Sequence, residues 1–370
     1  MTARVPGVLR EDVLPSPEPV FRTGVPAFLA PLPAGEPRPL AAAGHLAPLR
    51  EALRGSHVPA VVDGFFAAGG RRCWLVPGGP LADEQALAEA LARIADLDDV
   101  DLVAAPDPPD GDAALRRAQA RLLAAVDGTT RLCLLDPPAR ASRPAAAYLD
   151  AVADHARALA GLPGADNAAL YFPWLVAGGR ATPPCGHVAG VISATDARAG
   201  VHKAPAGEPL RGVVDLDVAL TATDERALAE LPLNWIRAQP GRGLWIWGAR
   251  TVARRPLAVR RLLLTIRRHL EQRMTHLAFE PGDAALWRRI AREAGAYLQS
   301  LHERGALAGA RPDEAYYVRC DETTNPPELR DLGVVHAELG VAPAATHEFI
   351  VLRLRVDPQA RAATLDENVA

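Results

Sequence analysis

Apolar residues fall along this chain in two rhythms. Short, nearly continuous apolar runs occupy residues 73–77 (CWLVP), 100–106 (VDLVAAP), 131–138 (RLCLLDPP) and 168–174 (AALYFPW), each closing at or beside a proline. Between them, apolar residues recur at helical spacing: Leu87, Leu91 and Ile94 within residues 82–95, a similar stripe within 113–126, and Leu149, Val152 and Leu159 within 145–160. The runs suit strands buried on both faces, because nothing in them alternates and proline ends a ladder. The spaced segments suit amphipathic helices. Strand and helix alternating in this order predict a doubly wound, mostly parallel α/β sheet.

The rhythm changes beyond Pro240. Strands are predicted at residues 244–247, 277–279, 316–320 and 334–341, with two arginine-bearing helices among them, an α+β arrangement. In the second helix Trp287, Ile290, Ala294, Tyr297, Leu298 and Leu301 share a face, while Arg288, Arg289, Arg292 and His302 point elsewhere. The last patterned stretch, 349–356 (FIVLRLRV), alternates Ile350, Leu352, Leu354 and Val356 with Phe349, Val351, Arg353 and Arg355. That is a half-buried strand. A turn-like APAATHE precedes it and a polar tail follows, so it is expected to swing free of the body.

The first 40 residues contain nine prolines, which forbid a helix and favour an extended chain. Val5, Val8, Val13, Val20 and Phe21 are nevertheless too apolar for a solvated tail. An extended arm seeking a surface or a sheet edge is expected at this end too. The organisation read from the pattern is an arm over residues 1–30, an α/β domain over 31–240, a second domain over 241–345, and a strand arm with tail over 346–370.

Composition adds limits. A chain of 370 residues that is 49% hydrophobic can build the cores of two domains. The most apolar stretch, 257–270, is interrupted by Arg260, Arg261, Arg267 and Arg268, so no membrane insertion is expected. Cys73, Cys133, Cys185 and Cys320 show no paired spacing, so no metal site or other cofactor is expected, and Cys73 and Cys133 read as buried thiols. The net charge of −3 hides an asymmetry: residues 241–311 hold 14 Arg against 5 acidic residues, a local +9. A basic block often marks an acidic partner, though arginines on polar helix faces are also simply solvated. Arg288, Arg289 and Arg292 are the candidates for such a contact. Arg260, Arg261, Arg267 and Arg268 compete, on a helix whose Leu262, Leu263 and Ile266 look more deeply buried.

Residues 171–208 carry the chain's densest glycine and proline punctuation, and they read as a shaped loop holding Cys185, His187, Asp196, His202 and Lys203. GHVAG at 186–190 resembles the surroundings of the catalytic histidine in subtilisin-like proteases, with Asp63 ahead of it. Such chemistry needs a serine on a tight turn beside oxyanion donors. Only Ser193 and Ser300 follow His187, and neither has that setting. A Cys185–His187 pair lacks a second pair to complete a metal site, and GRG at 241–243 precedes a strand where phosphate cradles precede a helix. No active site emerges.

Long blocks along nearly the whole chain resemble contractile tail sheath proteins of phages and phage-like injection systems. They include VPGVLREDV, VVDGFFAAGGRRCWLV, LYFPW, PPCGHVAGVISATDARAGVHKAPAGE, NWIRAQPGRGLWIWGART, LAFEPGDAALW, GALAGARPDEAYYVRCDETTNPP and LGVAPAATHEFIVLRL. The resemblance implies a subtilisin-like α/β body, named for its topology, and a C-terminal domain facing an inner tube. It implies hexameric rings stacked helically, a sheath that contracts to drive the tube through an envelope, and baseplate and cap proteins as further partners. Neither an enzyme nor a nucleic-acid binder is implied. Assembly is expected in the bacterial cytoplasm. Strand exchange is expected through Val5, Val8 and Val13 at one end, and through Phe349, Ile350, Val351, Leu352, Leu354 and Val356 at the other. A minor sheath paralogue or a capping protein is the alternative, and a cytosolic hydrolase using His187 a remoter one.

Overall fold

A computed structural model describes residues 22–368 apart from Ala82, His347 and Arg361. Its main sheet has eight strands: β1 (Pro26–Ala30), β2 (Arg38–Leu40), β3 (Cys73–Pro77), β4 (Leu102–Ala104), β5 (Leu132–Leu135), β6 (Ala168–Phe172), β10 (Asn234–Gln239) and β11 (Gly243–Trp247). A small sheet in the 175–216 region supplies β7 (Leu175–Ala177), β8 (Arg180–Thr182) and β9 (Asp215–Leu216). The order across the main sheet is β11-β10-β6-β5-β4-β1-β3-β2, parallel from β10 to β3 with an antiparallel strand at each edge.

Alternate residues of the parallel strands enter two different cores. Phe28, Leu75, Leu102 and Leu134 face helices α1 (Val58–Ala67) and α5 (Cys185–Ala199). Leu29, Val76, Val103 and Leu135 face α2 (Glu84–Ala95), α3 (Asp112–Val126), α4 (Ala145–Ala160) and α6 (Ala222–Ala229). Strands buried on both faces explain why these runs carry no alternation.

A second sheet, β12 (Tyr316–Arg319), β13 (Val335–Val341), β14 (Ile350–Asp357) and β15 (Ala362–Asn368), is antiparallel throughout. It buries Ala337, Leu339, Leu352, Leu354 and Leu365 against α7 (Leu257–Met274) and α8 (Ala284–Glu303). Helix α8 starts at Asp283, whose carboxylate accepts the Ala285 and Leu286 N–H groups. Its predicted stripe, Trp287 to Leu301, is the face that packs.

Several boundaries differ from the sequence reading. Residues 26–30, assigned to the arm, form the fully buried strand β1 between β3 and β4. Strand β11, assigned to the second domain, completes the edge of the first sheet beside β10. Residues 275–279 form a 3-10 turn where a strand was predicted, and Phe279 projects from it, 68% exposed.

Candidate functional site

The stretch expected to be a loop contains the buried helix α5. After β6 the chain makes the β7–β8 hairpin, with Gly178 and Gly179 both at positive φ as a tight two-residue turn requires. Pro184 then leads into α5, where Cys185 N–H donates to an Asp136 carboxylate oxygen at 2.9 Å. Gly186 and Gly190 stand one turn apart and set α5 directly against the backbone of α1. A Cβ on Gly186 would lie 2.2 Å from the Val61 carbonyl oxygen, and one on Gly190 2.3 Å from that of Phe65. Reciprocally, a Cβ on Gly64 of α1 would strike the His187 ring at 2.2 Å. The glycines that read as loop punctuation are the contact surface of a helix crossing. Periodicity could not reveal this, because glycine contributes no apolar face.

The groups suspected of catalysis are thereby dispersed. His187 is 1% exposed, its ring enclosed in the core between α5 and α1. Burial lowers its pKa to about 4, so it is a neutral core side chain near pH 7. Asp63 lies on the outer side of α1 with both carboxylate oxygens on Arg50, at 2.7 and 2.9 Å. Ser193 is buried on α5, and Ser300 on α8 donates to the Tyr297 carbonyl. Burial, together with the Asp136 carboxylate, raises the Cys185 thiol well above its usual range, so it carries no thiolate character. Among the described residues no cluster of three His, Cys, Asp or Glu is placed to hold a metal ion.

Asp136 makes the crossing pH-sensitive. Burial raises its carboxyl to about 7, against the lowering pull of its contacts with Cys185, and its second oxygen has no hydrogen-bond partner among the described residues. Above pH 7 the folded protein therefore holds a buried carboxylate. As pH falls toward 4 the fold binds a proton that the unfolded chain does not, and the penalty fades. Asp136→Asn, which can still cap α5, should raise stability at pH 8 by roughly 1–3 kcal/mol. It should also flatten the pH 7 to 4 dependence in denaturant titrations, relative to the parent chain.

Of the arm residues, Val5, Val8 and Val13 lie outside the described residues. The segment expected to swing free at the other end does not do so in the single chain. Strand β14 is internal, with β13 on one side and β15 on the other, and Leu352, Leu354 and Val356 are buried. The partner strand was read as a polar tail because only Ala363 and Leu365 mark its inner face. Asp357 closes the hairpin by accepting the Gln359 and Ala360 N–H groups. Phe349, just before β14, is half exposed, its ring 6.1 Å from that of Tyr317. Among the described residues β12 pairs with β13 alone, which leaves its other edge without a strand.

The arginine candidates separate into two groups. Arg288 and Arg292 are exposed on α8, and neither has an ion-pair partner among the described residues. Arg289 is engaged within the fold by Glu280 and Glu293. The competing arginines of α7 turn inward. Arg261 is 2% exposed and makes paired contacts to Asp196 at 2.7 and 2.6 Å, with Asp101 at 3.2 Å. Burial alone would lower its pKa, but the two carboxylates outweigh burial and hold the guanidinium above its usual range. Asp101 also accepts the Gly24 and Val25 N–H groups at 2.9 and 2.7 Å. The sequence reading missed this cluster because its members lie far apart along the chain.

No protein-family model matches the chain, and no curated protein matches it. Solved structures do. The helical sheath of the anti-feeding prophage in its contracted state aligns with a TM-score of 0.73 at 28% identity, covering 92% of this chain and 96% of that one. A chain of the sixfold-symmetrised baseplate of the same particle aligns with a TM-score of 0.70, also at 28% identity and over the same shares of both chains. A sheath tail protein from Desulfitobacterium hafniense shares the fold, with a TM-score of 0.66 at 13% identity over 95% of this chain and all of that one. Over nearly its whole length the chain is similar to contractile tail sheath proteins, and this similarity identifies it as a structural sheath subunit. It is a component of a phage tail or a contractile injection system.

Proposed function

We propose that this protein polymerises as hexameric rings stacked helically around an inner tube, and that the stack shortens to drive the tube through a target envelope. The observation that carries this reading is the alignment over more than nine-tenths of both chains with a contracted sheath. Copies of the chain are its main partner, with tube, baseplate and cap proteins at the ends and core of the stack. Assembly takes place in the cytoplasm of the producing bacterium. The N-terminal segment, with Val5, Val8 and Val13, crosses to a neighbour and adds a strand to its sheet. The unpaired edge of β12 suits that role, because an exposed ladder of N–H and C=O groups is satisfied by another backbone. Residues 349–356 take part in the same network as a strand exchanged between copies, the alternative to the intramolecular pairing of β14. Deleting residues 1–20 should leave a folded monomer that no longer pellets as long polymer. Normal polymerisation of the truncated chain would exclude arm exchange at this end.

The tube contact falls to Arg288 and Arg292, exposed on α8 within the +9 block. Arg289 contributes less, because Glu280 and Glu293 already hold it. Each solvated pair contributes only about 0–1 kcal/mol, but a helical array repeats it along the tube. Glu at both Arg288 and Arg292 should reduce co-sedimentation with purified tube at low salt while sparing tube-free sheath. Binding that is unchanged, or indifferent to salt, would leave these arginines as a solvated face.

The match to a baseplate chain favours a second reading, a minor sheath paralogue at the baseplate end. Such a protein, like a cap, would form discrete rings and no long tubes.

A further inference from the structure

Both described ends of the chain are fastened to one helix, α7. At the N-terminal side, Arg268 donates to the Arg22 carbonyl, and Arg261 pairs with Asp101, which holds the Gly24 and Val25 N–H groups. The same root is wedged against α5. Gly24 has φ +70, and a Cβ there would lie 2.6 Å from the Cα of Ser193. At the C-terminal side, Arg260 pairs with Glu367, and Glu271 accepts the Leu365 N–H at 2.9 Å.

The spacing of these four residues sorts them. Arg261 and Arg268 are two helical turns apart and share one stripe of α7, which takes the N-terminal root. Arg260 and Glu271 are three turns apart and share the neighbouring stripe, which takes strand β15. Helix α7 also spans the two cores, giving Leu257 and Leu264 to the first and Leu262, Ile266 and Leu270 to the second. With 18 residues it is a strut of about 27 Å.

We propose that α7 is the load path between the two ends of the chain: tension on the N-terminal segment passes through Asp101, Arg261 and Arg268 into this helix, and leaves through Arg260 and Glu271 into β15. This rests on the reading that the chain ends engage neighbouring copies. It goes beyond that reading by making α7, and not either sheet, the member that carries strain across the subunit. A helix suits the role, since it does not lengthen until its own hydrogen bonds break. A load routed through the sheets would instead peel them one strand at a time.

Single-molecule pulling on the unassembled full chain, with handles at its two termini, tests the proposal. The parent chain should resist up to one high-force event in which α7 is dislodged. Arg268→Met, which removes one of the two N-terminal contacts, and Glu271→Ala, which removes one of the two C-terminal ones, should each lower the force of that event and add smaller steps before it. Asp154→Ala, which removes only the exposed Arg157 pair, should leave that force unchanged. Glu271 is partly exposed, so its variant serves even if Arg268→Met fails to fold. Identical force traces for parent and both fastening variants, or strand-by-strand peeling in the parent, would overturn the proposal. The pulling is done on single chains, so failure to polymerise would count against the sheath reading and leave this result standing.

Discussion

Gly190→Ala is expected to destabilise the fold severely, whereas Gly295→Ala is expected to stabilise it. Both residues sit inside helices, α5 and α8, where alanine is favoured over glycine by roughly 0.5–1 kcal/mol. A Cβ at Gly295 meets nothing within 4 Å among the described residues, so that preference should appear undiminished. At Gly190 the new carbon would lie 2.3 Å from the Phe65 carbonyl oxygen and 2.7 Å from the Ala68 Cβ. Backbone cannot yield as a long side chain can, so α1 and α5 must move apart, opening the core around Val61, Phe65 and Val188. The cost should reach or exceed the upper end of the ~1–3 kcal/mol typical of overpacking. Chemical denaturation of the two variants checks both signs. Equal, small effects would mean that the glycine-rich stretch is the loop its composition suggests.

The second large effect concerns the buried charge cluster. Arg261→Met would leave Asp196 and Asp101 buried and without their cation. Breaking a buried pair in this way costs about 3–5 kcal/mol, a large share of the 5–15 kcal/mol that holds a typical domain together. Adding Asp196→Leu to Arg261→Met should recover part of the loss, because apolar replacement of a whole buried pair is often near neutral. Asp101 would still be served by the Gly24 and Val25 N–H groups. Thermal or denaturant melts of the single and double variants are the measurement. A double variant no more stable than Arg261→Met alone would show that the cost lies in lost packing of the arginine stem.

These two predictions concern the features that the sequence concealed. The parallel sheet was readable because strands buried on both faces announce themselves as apolar runs, and residues 73–77 and 145–160 became β3 and α4 with their predicted bounds. Helix α5 was hidden by the same glycines that let it approach α1. Strand β1 was masked by the prolines around it, and β15 by an inner face of only two apolar side chains. The α7 arginines looked like a solvated stripe, since nothing local shows that Asp101 and Asp196 await Arg261. The family resemblance, by contrast, was legible from blocks spread along the chain, and the alignments with solved sheath structures bear it out. Helical periodicity alone put Arg288 and Arg292 off the apolar stripe of α8, and both are exposed there.

Electron microscopy of the purified full-length chain in negative stain tests the central claim most directly. A sheath subunit should appear as long hollow tubes of uniform diameter, built from stacked sixfold rings and formed without any other protein. Dispersed monomers at high protein concentration, accompanied by hydrolysis of an ester or peptide that His187 substitution abolishes, would contradict it.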